Sequence, residues 1–200
     1  MPIARTGPTK GDRTRSRILD ALATLLEEAP YDQVSIAEVT RRAEVTRPAF
    51  YFHFDSLGAA ISSLMEQLFD EFTKVAGDWY SHVGQDQPAN LRAGMAQTVA
   101  IWRKHAVTMD AMMRAAAVDE PAARILDEWI AAFTSRALPV ARADGRGLGD
   151  RADRVARLLV AMTFDAMRRD VRNLVATGVA DPDVADTVAE VWIRTIYGSA

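Results

Sequence analysis

Cysteine is missing from all 200 residues, so neither a disulfide nor a thiolate metal site can form. Histidine is scarce: His53, His82 and His105 are scattered, and no metal centre is expected from them. No apolar run approaches the roughly 18–20 residues that a membrane span needs. The opening MPIARTGPTKGDRTRSR lacks the apolar stretch of a secretory signal, so a reducing cytoplasm is the expected compartment. There is no HExxH and no recognisable set of nucleophile, base and orienting group. Gly145, Gly147 and Gly149 follow no strand and do not form a phosphate-cradling loop. An enzyme is therefore not expected, and no cofactor is implied.

What is present is an ordinary core-forming composition, 49% apolar and 26% charged. The length suits one large domain, or a small one joined to a larger. The net charge of −3 conceals a gradient. Residues 1–17 carry Arg5, Lys10, Arg13, Arg15 and Arg17 against Asp12 alone, and residues 41–47 add Arg41, Arg42 and Arg47 against Glu44. From residue 56 onward acidic side chains outnumber basic ones. Local basic patches, rather than totals, decide phosphate binding.

Periodicity predicts an all-α chain of about nine helices with no convincing strand. Residues 1–11 read as a flexible basic arm. From Asp12 a helix buries Ile18, Leu22, Leu25 and Leu26 and stops at Pro30. Ser35 and Glu38 form a capping box for a short second helix. Residues 45–57, VTRPAFYFHFDSL, are aromatic enough for a strand, yet Thr46 is an N-cap candidate and Pro48 sits where a first helical turn tolerates proline. On a helix, Phe50 and Phe54 share one face, and Arg47, Tyr51 and His53 lie off it. Two short helices on a longer one make a helix-turn-helix unit over 12–55. Residues 56–200 are predicted as further helices, with loops at 84–88 and 144–150 and the last two helices at about 151–177 and 183–197.

The segments RSRILDALATLLEE and SIAEVTRRAEVTRPAFYFHF resemble the DNA-binding domain of the TetR family of transcriptional repressors. Within that family, TRPAFYFHF and the terminal VWIRTIYG are similar to the ethionamide-resistance repressor group. The resemblance implies a homodimer whose third helices enter the major groove of a DNA operator, and an effector bound in the C-terminal domain. It assigns Ser35, Thr46, Arg47, Pro48, Ala49, Tyr51 and His53 to DNA binding. Chemistry supports most of these roles: an arginine fork pairs with guanine, and the tips of Tyr51 and His53 suit phosphate oxygens. Arg13, Arg15, Arg17 and Arg42 are added as backbone or groove contacts. Three positions depart from the family pattern. Leu57 replaces a lysine, Ala49 a threonine, and Glu44 a turn glycine, which demands an unfavourable backbone conformation or a different turn.

Downstream, an interior rich in tryptophan and methionine suits an adaptable apolar pocket. Met95, Val99, Trp102, Met113, Trp129, Phe133, Met167 and Trp192 are its candidate lining, with Thr163, and Asp165 beside it, as polar anchors. The apolar faces of the last two helices, including Val155, Leu158, Met162 and Val191, predict a four-helix dimer interface. Leu57 and Glu44 also motivate a second reading. In it the chain is a helical small-molecule-binding or protein-interaction module with a non-functional DNA head.

Overall fold

The structure, a computed structural model, describes residues 9–80, 87–144 and 148–198, with the backbone alone at 70, 75–80, 143 and 144. Expectations for the arm residues 1–8, for the side chains of Val75 and Trp79, for 84–86 and for Gly145 and Gly147 fall outside it. Among the described residues there are nine α-helices and no strand. They are α1 (Lys10–Glu28), α2 (Ile36–Arg42), α3 (Arg47–His53), α4 (Leu57–Tyr80), α5 (Gln87–Lys104), α6 (Ala106–Ala116), α7 (Glu120–Asp144), α8 (Ala152–Thr177) and α9 (Val184–Tyr197). Short 3-10 turns lie at Tyr31–Gln33 and Gly149–Arg151.

Local chemistry accounts for most of the boundaries. Helix α1 starts two residues earlier than expected because Thr9 and Asp12 form a capping box: the Thr9 hydroxyl accepts from the Asp12 amide at 3.1 Å, and the Asp12 carboxylate accepts from the Thr9 amide at 2.8 Å. The Ser56 hydroxyl accepts from the Ala59 amide at 3.0 Å and opens α4. Gly178, at φ 73°, closes α8 in the left-handed conformation that glycine adopts without penalty.

Helix α1 packs on α2, α3, α4 and α6, so the head leans on the body through its longest helix. Helix α4 carries the chain out of the head and packs on α5, α6 and α7, while α8 lies against α7 and α6 and α9 against α5. One apolar cluster runs from Ile18 in α1 to Ile196 in α9. At the junction Gly58, in the first turn of α4, faces the Asp119 carboxyl that caps α7 through the Ala122 amide. A β-carbon at 58 would lie 2.2 Å from that carboxyl, so glycine allows the close approach. Arg114 of α6 bonds Asp110 at 2.6 Å and reaches Asp32 of the head at 3.9 Å.

Deep in the body, rings form a continuous chain. Phe69 and Phe72 lie 5.1 Å and 5.3 Å from Trp129, and Phe72 meets Trp102 at 6.1 Å. Trp102 meets Phe164 at 5.4 Å, and Phe164 meets Phe133 at 5.8 Å. The α8–α9 loop is held by a clasp: Arg103 of α5 grips the buried Asp170 with two bonds, at 2.8 Å and 3.1 Å, and also donates to the Asp181 carbonyl. Burial pushes the Asp170 carboxyl up, but Arg103 and the Asp181 amide outweigh it and hold the group below the usual carboxylate range. No described helix is long and apolar enough to cross a membrane.

Candidate nucleic-acid interface

The stretch FYFHF lies on α3 and its C-cap, with one face in and one face out. Phe50 is fully buried and Phe54 nearly so, their ring centres 5.7 Å apart. The Thr46 hydroxyl accepts from the Ala49 amide at 3.3 Å, and Pro48 stands in the first turn, where no partner for its missing N–H is required. Arg47 and Tyr51, four residues apart, occupy one outward stripe, and Pro48 and Phe52 occupy the next. Tyr51 is 50% exposed and Phe52 83% exposed. His53 is half-buried against the Phe52 ring, and Ala49 is half-buried too. Phe52, not among the expected contacts, is exposed on the face opposite Phe50, as its spacing of two residues from Phe50 dictates on a helix.

Of the four added arginines, three make intramolecular contacts. Arg42 forms a two-bond pair with Glu28, at 2.5 Å and 2.7 Å, tying the end of α2 to the end of α1. The same guanidinium holds the Glu28 carboxyl below its ordinary range. Arg17 donates to the backbone carbonyls of Ala43 and Glu44 across the turn between α2 and α3. Arg15 lies over the Phe54 ring with its guanidinium 5.3 Å from the centre, a cation–π contact that supports α3 from below. Arg13 stays exposed on α1. The Ser35 hydroxyl is engaged inside its capping box, accepting from the Glu38 amide and donating to the Glu38 carboxylate at 2.8 Å. Leu57, in the lysine position, is half-buried against the core.

The turn itself is formed despite its glutamate. Glu44 has φ 50° and is the one non-glycine residue with positive φ among those described. The Glu44 amide bonds the Arg41 carbonyl at 3.3 Å and the Val45 amide bonds the Thr40 carbonyl at 3.0 Å, the paired closure of a Schellman motif.

In the body, the residues expected to line a pocket are largely packed. Met95, Val99, Trp102, Met113, Trp129, Met167 and Trp192 are buried, and Phe133 and Thr163 are half-buried. The Thr163 hydroxyl is already used, accepting from the Trp192 indole at 2.9 Å and donating to the Leu159 carbonyl at 2.8 Å. Asp165 is paired with Arg168 and Arg169. A cleft of about 370 Å³ opens elsewhere, between α8 and α9, past Asp170, Asn173 and Thr187. Among the described residues no group of three histidine or acidic side chains could hold a metal ion.

A solvent-facing third helix, capped by Thr46 and packed through Phe50 on a longer first helix, makes a helix-turn-helix unit, the arrangement that DNA-binding regulators use. Residues 18–56 match the family described as bacterial regulatory proteins, tetR family. The chain is 26% identical to the HTH-type transcriptional regulator EthR of Mycolicibacterium smegmatis, over 98% of this chain and 91% of that protein. It is 24% identical to EthR of Mycobacterium tuberculosis, over 97% and 92%. It also superposes on a solved putative TetR-family regulator from Syntrophomonas wolfei with a TM-score of 0.64, over 94% of this chain and 96% of that one. That match is 16% identical and speaks to the fold alone. Residues 18–56 thus resemble the DNA-binding segment of the tetR family, and the chain over nearly its whole length is similar to transcriptional regulators named EthR.

Proposed function

We propose that the protein is a ligand-responsive transcriptional repressor of the cytoplasm that binds a pseudo-palindromic operator as a homodimer. One observation carries the reading: α3 presents Arg47, Tyr51 and Phe52 to solvent while Phe50 and Phe54 lock it to the head. Arg47 reads a base edge from the first turn, Tyr51 and His53 meet phosphate oxygens, and Phe52 offers an apolar surface to sugar or thymine methyl. The helix-turn-helix head over 12–55 and the ligand-binding and dimerisation body over 56–200 are its functional parts.

The second subunit docks on α8 and α9. Of the apolar face expected there, Leu159, Val171, Val184, Val188, Trp192 and Ile196 are consumed by the chain's own core. Leu158, at 69% exposed, and Val191, at 39%, remain outside with half-buried Val155 and Met162, a small residual face that suits a two-fold partner. The effector is an apolar small molecule seated among Trp102, Trp129, Phe133, Phe164 and their methionine neighbours, where adaptable thioethers make room.

Selection of binding sequences from a random DNA pool, followed by binding assays on the selected operator, tests the reading. The expected result is a pseudo-palindrome with half-sites about one helical turn apart, ~34 Å, or a multiple of it. Arg47→Ala is expected to cost roughly 1–3 kcal/mol and relax one base position. A pool that returns no enriched sequence refutes the DNA-binding role. A monomer by sedimentation refutes the operator geometry, and apolar compounds that never shift thermal stability refute the effector.

A further inference from the structure

We infer that Arg17 is a positioning residue of the DNA-binding unit: from α1 it holds the α2–α3 turn in a glycine-like conformation that Glu44 itself disfavours. This rests on the DNA-binding reading above and gives Arg17 a role other than the backbone or groove contact expected from the sequence.

A side chain at left-handed φ crowds the neighbouring carbonyl, so a residue other than glycine there needs support from outside the turn. The Schellman closure satisfies the amides of Glu44 and Val45. It leaves the carbonyls of Ala43 and Glu44, at the end of α2, with no amide from that closure. Both accept from the Arg17 Nη2, whose two hydrogens match two oxygens, the second at 3.0 Å. The Glu44 carboxylate lies 3.4 Å from the same nitrogen, an exposed pair of little strength beside the carbonyl bonds. Arg17 is well placed to act as a strut, because the next residue, Ile18, is fully buried and fixes α1 in the core. The angle between α2 and α3 is set at this turn, and α3 has seven residues with which to resist a change in it. A guanidinium bound to two carbonyls in this way sets where Arg47 points without itself touching DNA.

Four proteins test this: the parent, Arg17→Ala, Glu44→Gly, and the two substitutions combined. Each is titrated on the selected operator across a salt series, and amide exchange at Glu44 and Val45 is measured in the free proteins. Arg17→Ala should lose affinity on the order of tenfold, keep the parent's salt dependence, and exchange faster at the two turn amides. Glu44→Gly in the same chain should return both affinity and exchange to near the parent values, because glycine needs no strut. If Arg17→Ala does not fold, Arg17→Met, which keeps an apolar stem and loses every donor, should behave as described for alanine.

A salt slope lowered by about one contact, with no rescue by Glu44→Gly, would make Arg17 a phosphate ligand and overturn the inference. Unchanged exchange in Arg17→Ala overturns it as well. Faster exchange with unaltered affinity reduces Arg17 to fold stability alone. A parent that binds no DNA refutes the functional reading, while the exchange measurements still judge the strut.

Discussion

Aromatic side chains do opposite jobs in the two parts of this molecule. In α3 they alternate between core and solvent, Phe50 enclosed and Phe52 almost bare. In the body, Phe72, Trp102 and Trp129 are buried and half-buried Phe69, Phe133 and Phe164 link to them ring against ring. The difference comes from enclosure rather than residue type. A seven-residue helix at the edge of a small head has one supporting side, given by α1 and α2, so its other faces stay wet. Helices α4, α5, α7 and α8 surround one another, and a ring on any of them finds a neighbour. An exposed aromatic surface is therefore a property of the head's edge, and it lies where DNA is expected.

The comparison breaks most sharply at Phe50. Phe50→Ala should cost about 3–5 kcal/mol in urea denaturation and abolish operator binding; a loss typical of surface sites would mean that the head is not built around this ring. Next comes the body's clasp. Asp170→Ala leaves Arg103 without its partner and should cost roughly 3 kcal/mol. Because the Asp170 carboxyl is held below its ordinary range, its contribution is fully present above the unfolded value near ~3.9 and lost as pH falls through the lower folded value. Thermal scans against pH should thus show the parent losing an increment of stability in acid that the variant never had. Identical acid limbs in the two proteins would remove the clasp from the account.

Gly58→Ala probes the joint between the two parts. The new methyl displaces the Asp119 carboxyl from the α7 cap, for an expected loss on the order of 1–3 kcal/mol, seen as a lower denaturation midpoint. The smallest stability effect belongs to Phe52. Phe52→Ala should leave stability within about 0.5 kcal/mol of the parent, yet weaken binding to the selected operator. Destabilisation comparable to Phe50→Ala would place Phe52 inside, and intact DNA binding would leave its exposure unexplained.

Helix ends were largely legible in the sequence because capping is local. Ser35 with Glu38, Thr46 with Pro48, and Gly178 each act within a few residues of themselves. The inward face of α3 was legible too, from the i to i+4 spacing of Phe50 and Phe54. The start of α1 was less legible, because its Thr9–Asp12 box lies at the edge of a segment, residues 1–11, without apolar periodicity. Arg17 and Arg42 were illegible for another reason. A surface arginine looks the same whether it meets phosphate, a carbonyl or a carboxylate, and their partners stand 26 and 14 positions away. Thr163 was likewise offered as an open anchor because its bond to Trp192 spans 29 residues.

The glutamate at position 44 also ties its own codon to a distant one. A turn supported by a side chain 27 positions away depends on two codons, and the order in which they change matters. Once position 44 becomes glycine, position 17 is free to drift. While position 44 stays glutamate, a lineage that loses Arg17 first passes through a protein with a slackened recognition helix. The strut is thus a ratchet in sequence space, releasing in one order of substitution and blocking the other.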